Sequence, residues 1–397
     1  METVNPASVG YSAARLDRVT EALHRWVDDR QAAGFVAAVA RHGKVAYFQS
    51  VGYRDLEANA PMERDAIFRI YSMSKPITAA AVMMLLEEGR FRLDDPISDF
   101  IPDLARTKVF AGETPDGMAL ADLERPITIR HLLTHTSGLI YGSPSGNALE
   151  RAYIEAGILN PNRTLAESVA ALARLPLAHQ PGDRWTYGVS IDVLGRLVEV
   201  VSGQRFGAFL EERMFAPLGM VDTGFRVTAE KHSRLATVYT RTKASTLERV
   251  DSTLASDGPT FESGGGGLYS TAADYCRFAQ MLLGATGSDG SRLLGRKAVE
   301  LMAAPQSFQR GGLIRVYPTW TYSRGYAMAL GVRTLVDVGE AGIPGSIGSF
   351  NWEGAASTGF WADPKEDLVG ILMYQRMPNS DLPNQLFRSL VYGALDD

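Results

Sequence analysis

The sequence predicts an α/β fold in which one lobe is built from both ends of the chain and a mainly helical lobe is inserted between them. Strand patterns lie near both termini, helical patterns dominate the middle, and 397 residues exceed the ~250 to 300 at which a single core usually stops growing. The predicted boundaries are 1–93 and 284–397 for the α/β lobe and 94–283 for the helical lobe. A cleft between two lobes is the default position of a site.

The first predicted elements are a helix and a hairpin. In residues 13–31, apolar side chains recur at helical spacing. Residues 35–40 and 45–51 are rich in Val, Ala, Tyr and Phe, and the glycine-containing segment 41–44 between them is typical of a tight turn. These segments predict two strands joined as a β-hairpin.

The remaining elements follow in chain order. Helical patterns in the middle of the chain cover residues 129–133, 165–175, 190–201, 206–215 and 272–283. Short apolar segments set off by Gly, Asp and Pro predict further strands at 326–330, 348–352, 359–362 and 368–374. The last of these is apolar on both faces, which is typical of a buried strand.

The composition excludes several classes of protein. Hydrophobic residues make up 45% and charged residues 21%, and 40 Lys+Arg against 45 Asp+Glu give a net charge of -5, which are ordinary globular values. No block of like charges suggests a partner in nucleic acid or a membrane surface, and no apolar run approaches the ~20 residues that span a bilayer. The one cysteine, Cys276, excludes an intramolecular disulfide and a multi-cysteine metal site. Because no secretory signal is recognisable, we expect a cytoplasmic protein.

The most informative segment is Ser-Met-Ser-Lys at residues 72–75, which leads into an apolar helical run. Pro76 suits the first turn of a helix, and Gly89 suits the position after its last residue. Because residues three apart share a helix face, the Lys75 amine can reach the Ser72 hydroxyl. A serine becomes a nucleophile when a base takes its proton, and a lysine can be that base only if its pKa falls from ~10.4. The spacing indicates a serine–lysine pair, although any serine that caps a helix one turn before a lysine fits it.

Four further motifs make the pattern specific. They are HLLTHTSGL at 131–139, WTY at 185–187, SGGGGLYS at 263–270 and WEG at 352–354. In this order and together with SMSK, they resemble the serine β-lactamase and penicillin-binding-protein superfamily, and within it the family VIII carboxylesterases and class C β-lactamase-like proteins. The resemblance spans nearly the whole chain. It implies a β-lactamase-like fold, with an antiparallel sheet flanked by helices, and an acyl-enzyme formed on the serine.

The resemblance also implies roles for individual residues. Tyr187 matches the second catalytic element of the superfamily, and with Lys75 it can share one proton and pass it between Ser72 and the leaving group. The backbone N–H groups of Ser72 and Ala355 would form the oxyanion hole, where each donor is worth about 10² to 10³ in rate. Gly354 would let the strand backbone approach the substrate closely.

Two departures from the lactamase pattern favour an ester over a lactam. The family pattern Tyr-x-Asn is not met, because position 189 is Val189. Trp352 stands where lactamases have the lysine of Lys-Thr-Gly, and an indole offers an apolar wall to an uncharged ester rather than a cation to a carboxylate. We therefore expect a serine carboxylesterase for short- to medium-chain and aryl esters, with Trp352 and Gly354 binding this small-molecule substrate and with no metal or organic cofactor.

Alternatives with the same motifs stay open at this point. They are a class C-like β-lactamase or D,D-peptidase, an acyltransferase that passes the acyl group to an alcohol, and an inactive binding protein. The Gly-x-Ser-x-Gly elbow of the α/β-hydrolases is absent from the sequence. His131 and His135 lack the glutamate of the zinc motif His-Glu-x-x-His.

Two further features concern the surroundings of the site. Asp192, near the start of a predicted helix, is a candidate to orient Tyr187, although a carboxylate there more often serves the helix dipole. Residues 141–156 and 311–326 are expected to line the acyl pocket.

Overall fold

The computed structural model describes residues 1–115, 117–250, 260–287, 290–316 and 323–397. Its strands are β1 Gly34–Arg41, β2 Lys44–Asp55, β3 Ala60–Pro61, β4 Phe68–Arg69, β5 Val109–Thr114, β6 Gly117–Ala121, β7 Tyr239–Arg241, β8 Leu247–Arg249, β9 Tyr269–Ser270, β10 Tyr326–Met328, β11 Arg333–Leu335, β12 Phe350–Glu353, β13 Gly359–Asp363 and β14 Leu368–Met373. Its helices are α1 Ala13–Asp28, α2 Ser74–Glu87, α3 Ile129–Leu133, α4 Ala148–Glu155, α5 Leu165–Leu172, α6 Ser190–Ser202, α7 Phe206–Leu210, α8 Ala216–Leu218, α9 Ala272–Leu282, α10 Arg296–Ala303, α11 Val338–Ala341 and α12 Leu382–Gly393.

The main sheet contains eight antiparallel strands in the order β10-β11-β12-β13-β14-β1-β2-β3. Its centre joins the two ends of the chain, because β1 pairs with β14, with Val36 opposite Met373 and Arg41 opposite Leu368. The predicted fold class, an antiparallel sheet built from both chain ends and flanked by helices, is confirmed.

The β1–β2 hairpin forms where the sequence predicts it. Arg41 pairs with Lys44, and the two residues between them, His42 and Gly43, have φ angles of 52° and 70°. Two successive residues in the left-handed region give a turn whose twist matches that of the flanking strands. Glycine adopts this conformation without steric cost, which explains why the chain reverses here.

The two faces of β1 pack against different layers. Phe35 and Val39 belong to a cluster that includes apolar residues of α1 and α12. Val36 and Ala40 belong to the larger core that also contains α2 and α9. Because side chains alternate along a strand and all eight residues of β1 are buried, the sheet is a middle layer between these two groups of helices.

Helix α2 lies inside the larger core. Every residue from Ser74 to Leu85 is buried, and the helix contacts α6 and α10. A helix buried on all sides needs apolar or hydrogen-bonded side chains around its whole circumference, which the alanines, methionines and leucines of α2 supply. The start of α2 consequently lies where the sheet layer meets the other helices.

The structure also differs from the predicted elements. Strand β11 was not predicted, because Arg333 and Thr334 leave no apolar run, and the β5–β6 hairpin lies in a region predicted as mainly helical. Residues 206–215, predicted as one helix, form α7 followed by a π turn. Helix α9 lies within 94–283, the range predicted as the helical lobe, yet it packs on strands β1, β13 and β14 of the main sheet. The lobe boundaries stay a prediction.

Among the described residues, no helix has the length and apolar character needed to cross a membrane.

Candidate active site

Ser72 lies in a single 3-10 turn, Tyr71–Met73, that runs directly into α2. Tyr71 has a φ angle of +41°, a left-handed conformation that is uncommon for a bulky residue. Such strain is kept where the surrounding structure fixes it, and it often marks a functional position. Ser72 is half-buried, whereas the residues after it are buried, so the hydroxyl lies at the open end of the helix.

Lys75 is fully buried and is hydrogen-bonded in three directions. Its Nζ lies 3.0 Å from Ser72 Oγ, 3.1 Å from Tyr141 Oη and 2.6 Å from the Gly265 carbonyl oxygen. An ammonium group has three N–H donors, and these three oxygens accept all of them. The serine–lysine contact predicted from the spacing is present.

The environment favours the charged form of this lysine. Burial by itself lowers the pKa of Lys75, but the attraction of the Tyr141 and Tyr187 phenols outweighs burial and the pKa lies above its ordinary value. The sequence reasoning required a lowered pKa if Lys75 was to act as the base. The three acceptors around Nζ and the raised pKa instead favour the ammonium form of Lys75.

Tyr187 reaches the same serine from a loop just before α6. Its Oη lies 2.8 Å from Ser72 Oγ, and Lys75 Nζ lies 4.6 Å from the centroid of its ring. Gly188 allows the loop to approach residues 139 and 140, because a Cβ on this glycine would lie 2.6 Å from the Ile140 Cα. The structure therefore brings together Ser72, Lys75 and Tyr187, although Ser72 and Tyr187 are 115 residues apart in the sequence.

Tyr141 is a neighbour of Lys75 that the sequence reasoning did not assign to the proton-transfer group. The sequence placed it only in a loop expected to line the acyl pocket. Its hydroxyl bonds Lys75, its ring centroid lies 5.5 Å from that of Tyr187, and burial raises its pKa. A contact across 66 residues has no local spacing pattern, and the motif HLLTHTSGL at 131–139 ends two residues before Tyr141. Residues 317–322 of the other expected pocket loop lie outside the described residues.

A cluster of aromatic side chains packs against the ring of Tyr187. The centroid of the buried His135 ring lies 4.9 Å from that of Tyr187 and 6.5 Å from that of Trp352, and the imidazole is nearly parallel to the indole. Trp185 stacks on Tyr187 at 6.0 Å. Burial and the nearby Lys75 lower the pKa of His135 well below its ordinary value, so this ring is neutral. His131 instead caps α3, with Nδ1 accepting the Thr128 N–H at 3.2 Å.

Trp352 is more enclosed than a substrate-facing wall requires. Only 4% of its surface is exposed, and its ring centroid lies 6.1 Å from that of Tyr187. Most of the indole packs against the protein, so the position of the Tyr187 ring depends on it. Substrate contact by Trp352 stays a prediction.

The end of β12 lies against the segment that carries the nucleophile. A Cβ on Gly354 would lie 2.5 Å from the Ile70 carbonyl oxygen, so only glycine allows this approach two residues before Ser72. The next residue, Ala355, is exposed, and its N–H donates to no backbone carbonyl among the described residues. An N–H group of this kind, one residue after the contact with the nucleophile segment, is suited to donate a hydrogen bond to a developing oxyanion.

Comparisons with known proteins identify the family of the chain. The family described as Beta-lactamase matches residues 16–392. The chain is 32% identical over 380 residues to Esterase EstB of Burkholderia gladioli, covering 91% of this chain and 90% of that protein. Among solved structures, EstCE1, a hydrolase with promiscuous acyltransferase activity, superposes with a TM-score of 0.80 at 26% identity, over 96% of this chain and 98% of that one. Simvastatin synthase (LovD) from Aspergillus terreus gives a TM-score of 0.80 at 26% identity, over 96% and 99%.

The relatives thus include both esterases and enzymes that transfer acyl groups. The match of the family over nearly the whole chain and the shared fold agree with the motifs around Ser72, Lys75 and Tyr187. The chain belongs to the Beta-lactamase family, in the superfamily of serine β-lactamases and penicillin-binding proteins, and is similar to its family VIII esterases.

Proposed function

We propose that this protein is a serine carboxylesterase that forms an acyl-enzyme on Ser72. The observation that carries the proposal is that Ser72 Oγ has Tyr187 Oη at 2.8 Å and Lys75 Nζ at 3.0 Å. A hydroxyl held by a candidate base and a cation is the arrangement that nucleophilic catalysis requires. The relative named as an esterase supports the ester-cleaving form of this chemistry.

The roles of the three residues follow from their positions. Tyr187 Oη, 2.8 Å from Ser72 Oγ, acts as the base and takes the proton of Ser72 as Oγ bonds to the ester carbonyl carbon, next to the Lys75 ammonium. The carbonyl electron pair moves to its oxygen, and the Ser72 and Ala355 amides stabilise the resulting anion. When the carbonyl re-forms, the C–O bond to the alcohol breaks and the alcohol leaves with the proton from Tyr187.

The second half of the reaction repeats the first with a new nucleophile. Tyr187 takes a proton from water, the hydroxide attacks the acyl carbon, and Ser72 Oγ recovers its proton as it leaves. Short- to medium-chain and aryl esters are the proposed substrates. Val189 and Trp352, which replace the asparagine and lysine of lactamases, support an ester rather than a lactam.

A second candidate function is transfer of the acyl group to an alcohol. EstCE1, a solved structure at 26% identity, is described as a hydrolase with promiscuous acyltransferase activity, and simvastatin synthase is a further neighbour. The two functions share every step up to the acyl-enzyme and differ in whether water or an alcohol attacks it. Adding an acceptor alcohol during turnover separates them, since a transferase gives mainly the new ester and an esterase gives mainly the acid.

The primary experiment compares the wild type with Ser72→Ala on a series of p-nitrophenyl esters. We expect the wild type to hydrolyse short and medium acyl chains, and Ser72→Ala to lose about 10³-fold or more in kcat while keeping its fold. Mass spectrometry after treatment with a fluorophosphonate should place one adduct on Ser72. An active Ser72→Ala protein, or faster turnover of nitrocefin than of the esters, would contradict the proposal.

A further inference from the structure

A glycine-rich segment, residues 263–267, is bound to the start of α2 and is called the glycine loop below. Thr78 Oγ1 donates to the Gly264 carbonyl at 2.8 Å, and Lys75 Nζ donates to the Gly265 carbonyl at 2.6 Å. Just after the loop, the Leu268 N–H donates to Ser74 Oγ at 3.1 Å. The first turn of α2 thus holds the loop through its polar side chains, and the loop supplies one of the three acceptors of the lysine.

Asp192, in the first turn of α6, binds the opposite side of this loop. Its side chain is buried, and Oδ1 accepts hydrogen bonds from Ser263 Oγ at 2.5 Å and from the Gly265 N–H at 3.1 Å. A Cβ on Gly265 would lie 2.6 Å from Asp192 Oδ2, so only a glycine allows the carboxylate this close. Gly265 therefore donates to Asp192 with its N–H and accepts from Lys75 with its carbonyl.

Opposing effects act on the charge of Asp192. Burial raises the pKa of its carboxyl group above the ordinary value, while the hydrogen bond from Ser263 and the charge of Lys75 limit that rise. Within the described part of the chain, the buried Oδ2 has no hydrogen-bond partner, so a carboxylate charge here depends on the two donors to Oδ1 and on Lys75. An ionised Asp192 and a charged Lys75 stabilise each other across the glycine loop.

We infer that Asp192 is a positioning residue whose carboxylate fixes the glycine loop so that the Gly265 carbonyl keeps Lys75 in the ammonium form beside Ser72. The inference rests on the proposed function of Lys75 and Tyr187. Asp192 acts through the loop and does not touch the reacting atoms. This role differs from the one considered from the sequence, in which the carboxylate steers Tyr187.

The inference predicts how the pH dependence of the activity changes when Asp192 loses its charge. Tyr141, Tyr187 and His135 also face Lys75, and the Tyr141 phenol faces Asp192 as well. These groups remain when the carboxylate is replaced by an amide. Loss of the negative charge then lowers the pKa of Lys75, and the ammonium is lost at a lower pH as the solution becomes alkaline. The alkaline fall of kcat/KM should move toward neutral pH.

The test compares Asp192→Asn with the control Asp274→Asn. Asp274 is a matched choice because it is also a buried aspartate in the first turn of a helix, and it bonds Thr223 at 3.0 Å rather than the glycine loop. Hydrolysis of a short-chain ester is followed by pH-stat titration through the neutral and alkaline range. The pH profile is then free of the ionisation of a coloured product. We expect Asp192→Asn to lose about tenfold in kcat with KM nearly unchanged, and to show the shifted alkaline limb. Asp274→Asn should change the melting temperature only.

A second variant and a second readout keep the result decisive. Ser263→Ala removes one hydrogen bond of the carboxylate and should give a smaller shift in the same direction, even if Asp192→Asn folds poorly. The rate of fluorophosphonate labelling at Ser72 should fall at the same lower pH as kcat/KM does. If Asp192→Asn and Ser263→Ala both lost activity at the same alkaline pH as the wild type, the inference would be overturned. If the wild type neither hydrolysed esters nor reacted with the fluorophosphonate at Ser72, the proposed function would be overturned instead.

Discussion

The residues around Ser72 form two sides with different chemistry. On one side, α2 and the glycine loop form a polar side, in which the charged Lys75 has an acceptor for each of its N–H groups. On the other, His135, Trp185 and Trp352 form an aromatic side, in which the imidazole is neutral and its ring nitrogens have no hydrogen-bond partner among the described residues. Tyr187 belongs to both sides, since its ring packs on the aromatics and its hydroxyl bonds Ser72. The polar side sets the charge at the site, and the aromatic side sets the position of the phenol.

The largest effect is expected where the two sides meet. Tyr187→Phe keeps the ring in the aromatic cluster and removes only the oxygen that bonds Ser72, so we expect kcat to fall about 10³-fold with little change in stability. Ester hydrolysis and thermal unfolding would be measured together. Tyr153→Phe is the control, because its buried hydroxyl bonds the Pro176 carbonyl at 2.9 Å, away from Lys75. A Tyr187→Phe enzyme that retains most of its activity would show that the phenol is not the base.

A smaller effect is expected on the polar side alone. Tyr141→Phe removes one of the three acceptors of the Lys75 ammonium but leaves Ser72 and Tyr187 in contact. Hydrogen bonds to charged groups are worth about 1.5–3 kcal/mol, so we expect kcat/KM to fall by about 10- to 150-fold. The alkaline limb should also move toward neutral pH, because the ammonium form has lost a partner. If Tyr141→Phe instead matched Tyr187→Phe in its loss of rate, the distinction between the two phenols would be wrong.

The smallest effect on activity is expected on the aromatic side. His135→Phe keeps an aromatic ring next to Tyr187 and should change kcat/KM only about twofold. The imidazole contributes through the packing of its ring rather than through a charge. Its effect should appear in stability against pH. The pKa of His135 in the folded protein lies well below the ordinary value of 6.5, so its contribution to stability is present above pH 6.5 and is lost as the pH falls below it.

The matching measurement is the melting temperature of both proteins from neutral pH down to mildly acidic pH. His135→Phe should show a shallower decline than the wild type. His135 has a φ angle of +54°, a conformation that phenylalanine adopts less readily, and this cost lowers the melting temperature equally at every pH. The slope rather than the offset is therefore the quantity to compare, and parallel curves would mean that His135 is not the group that titrates.

The parts of the site that the sequence predicted are those with a local or a motif signal. The Ser72–Lys75 contact follows from their spacing of three on a helix, and Tyr187 came from a recognisable motif. Tyr141 and the Asp192–Gly265 contact join segments 66 and 73 residues apart, and no periodic pattern encodes such pairs. The sequence left the proton shared by Lys75 and Tyr187 unassigned, because the raised pKa of Lys75 depends on the Tyr141 and Tyr187 phenols that the tertiary structure brings to it.

The fold shows the same division. The β1–β2 hairpin was predicted from its turn, and the buried strand β14 from its continuous apolar run. Strand β11 was missed because its three residues include Arg333, whose charge is stabilised by Glu353 on the neighbouring strand β12. Only the tertiary structure supplies that partner.

The pairing of β1 with β14 has a consequence for biosynthesis. The ribosome makes β1 and Ser72 well before residues 368–373, which complete the sheet beside β1. Until then β1 presents an unpaired edge, which is open to association with other nascent chains or to capture by chaperones. Catalytic competence should therefore emerge only after residues 368–373 have left the exit tunnel.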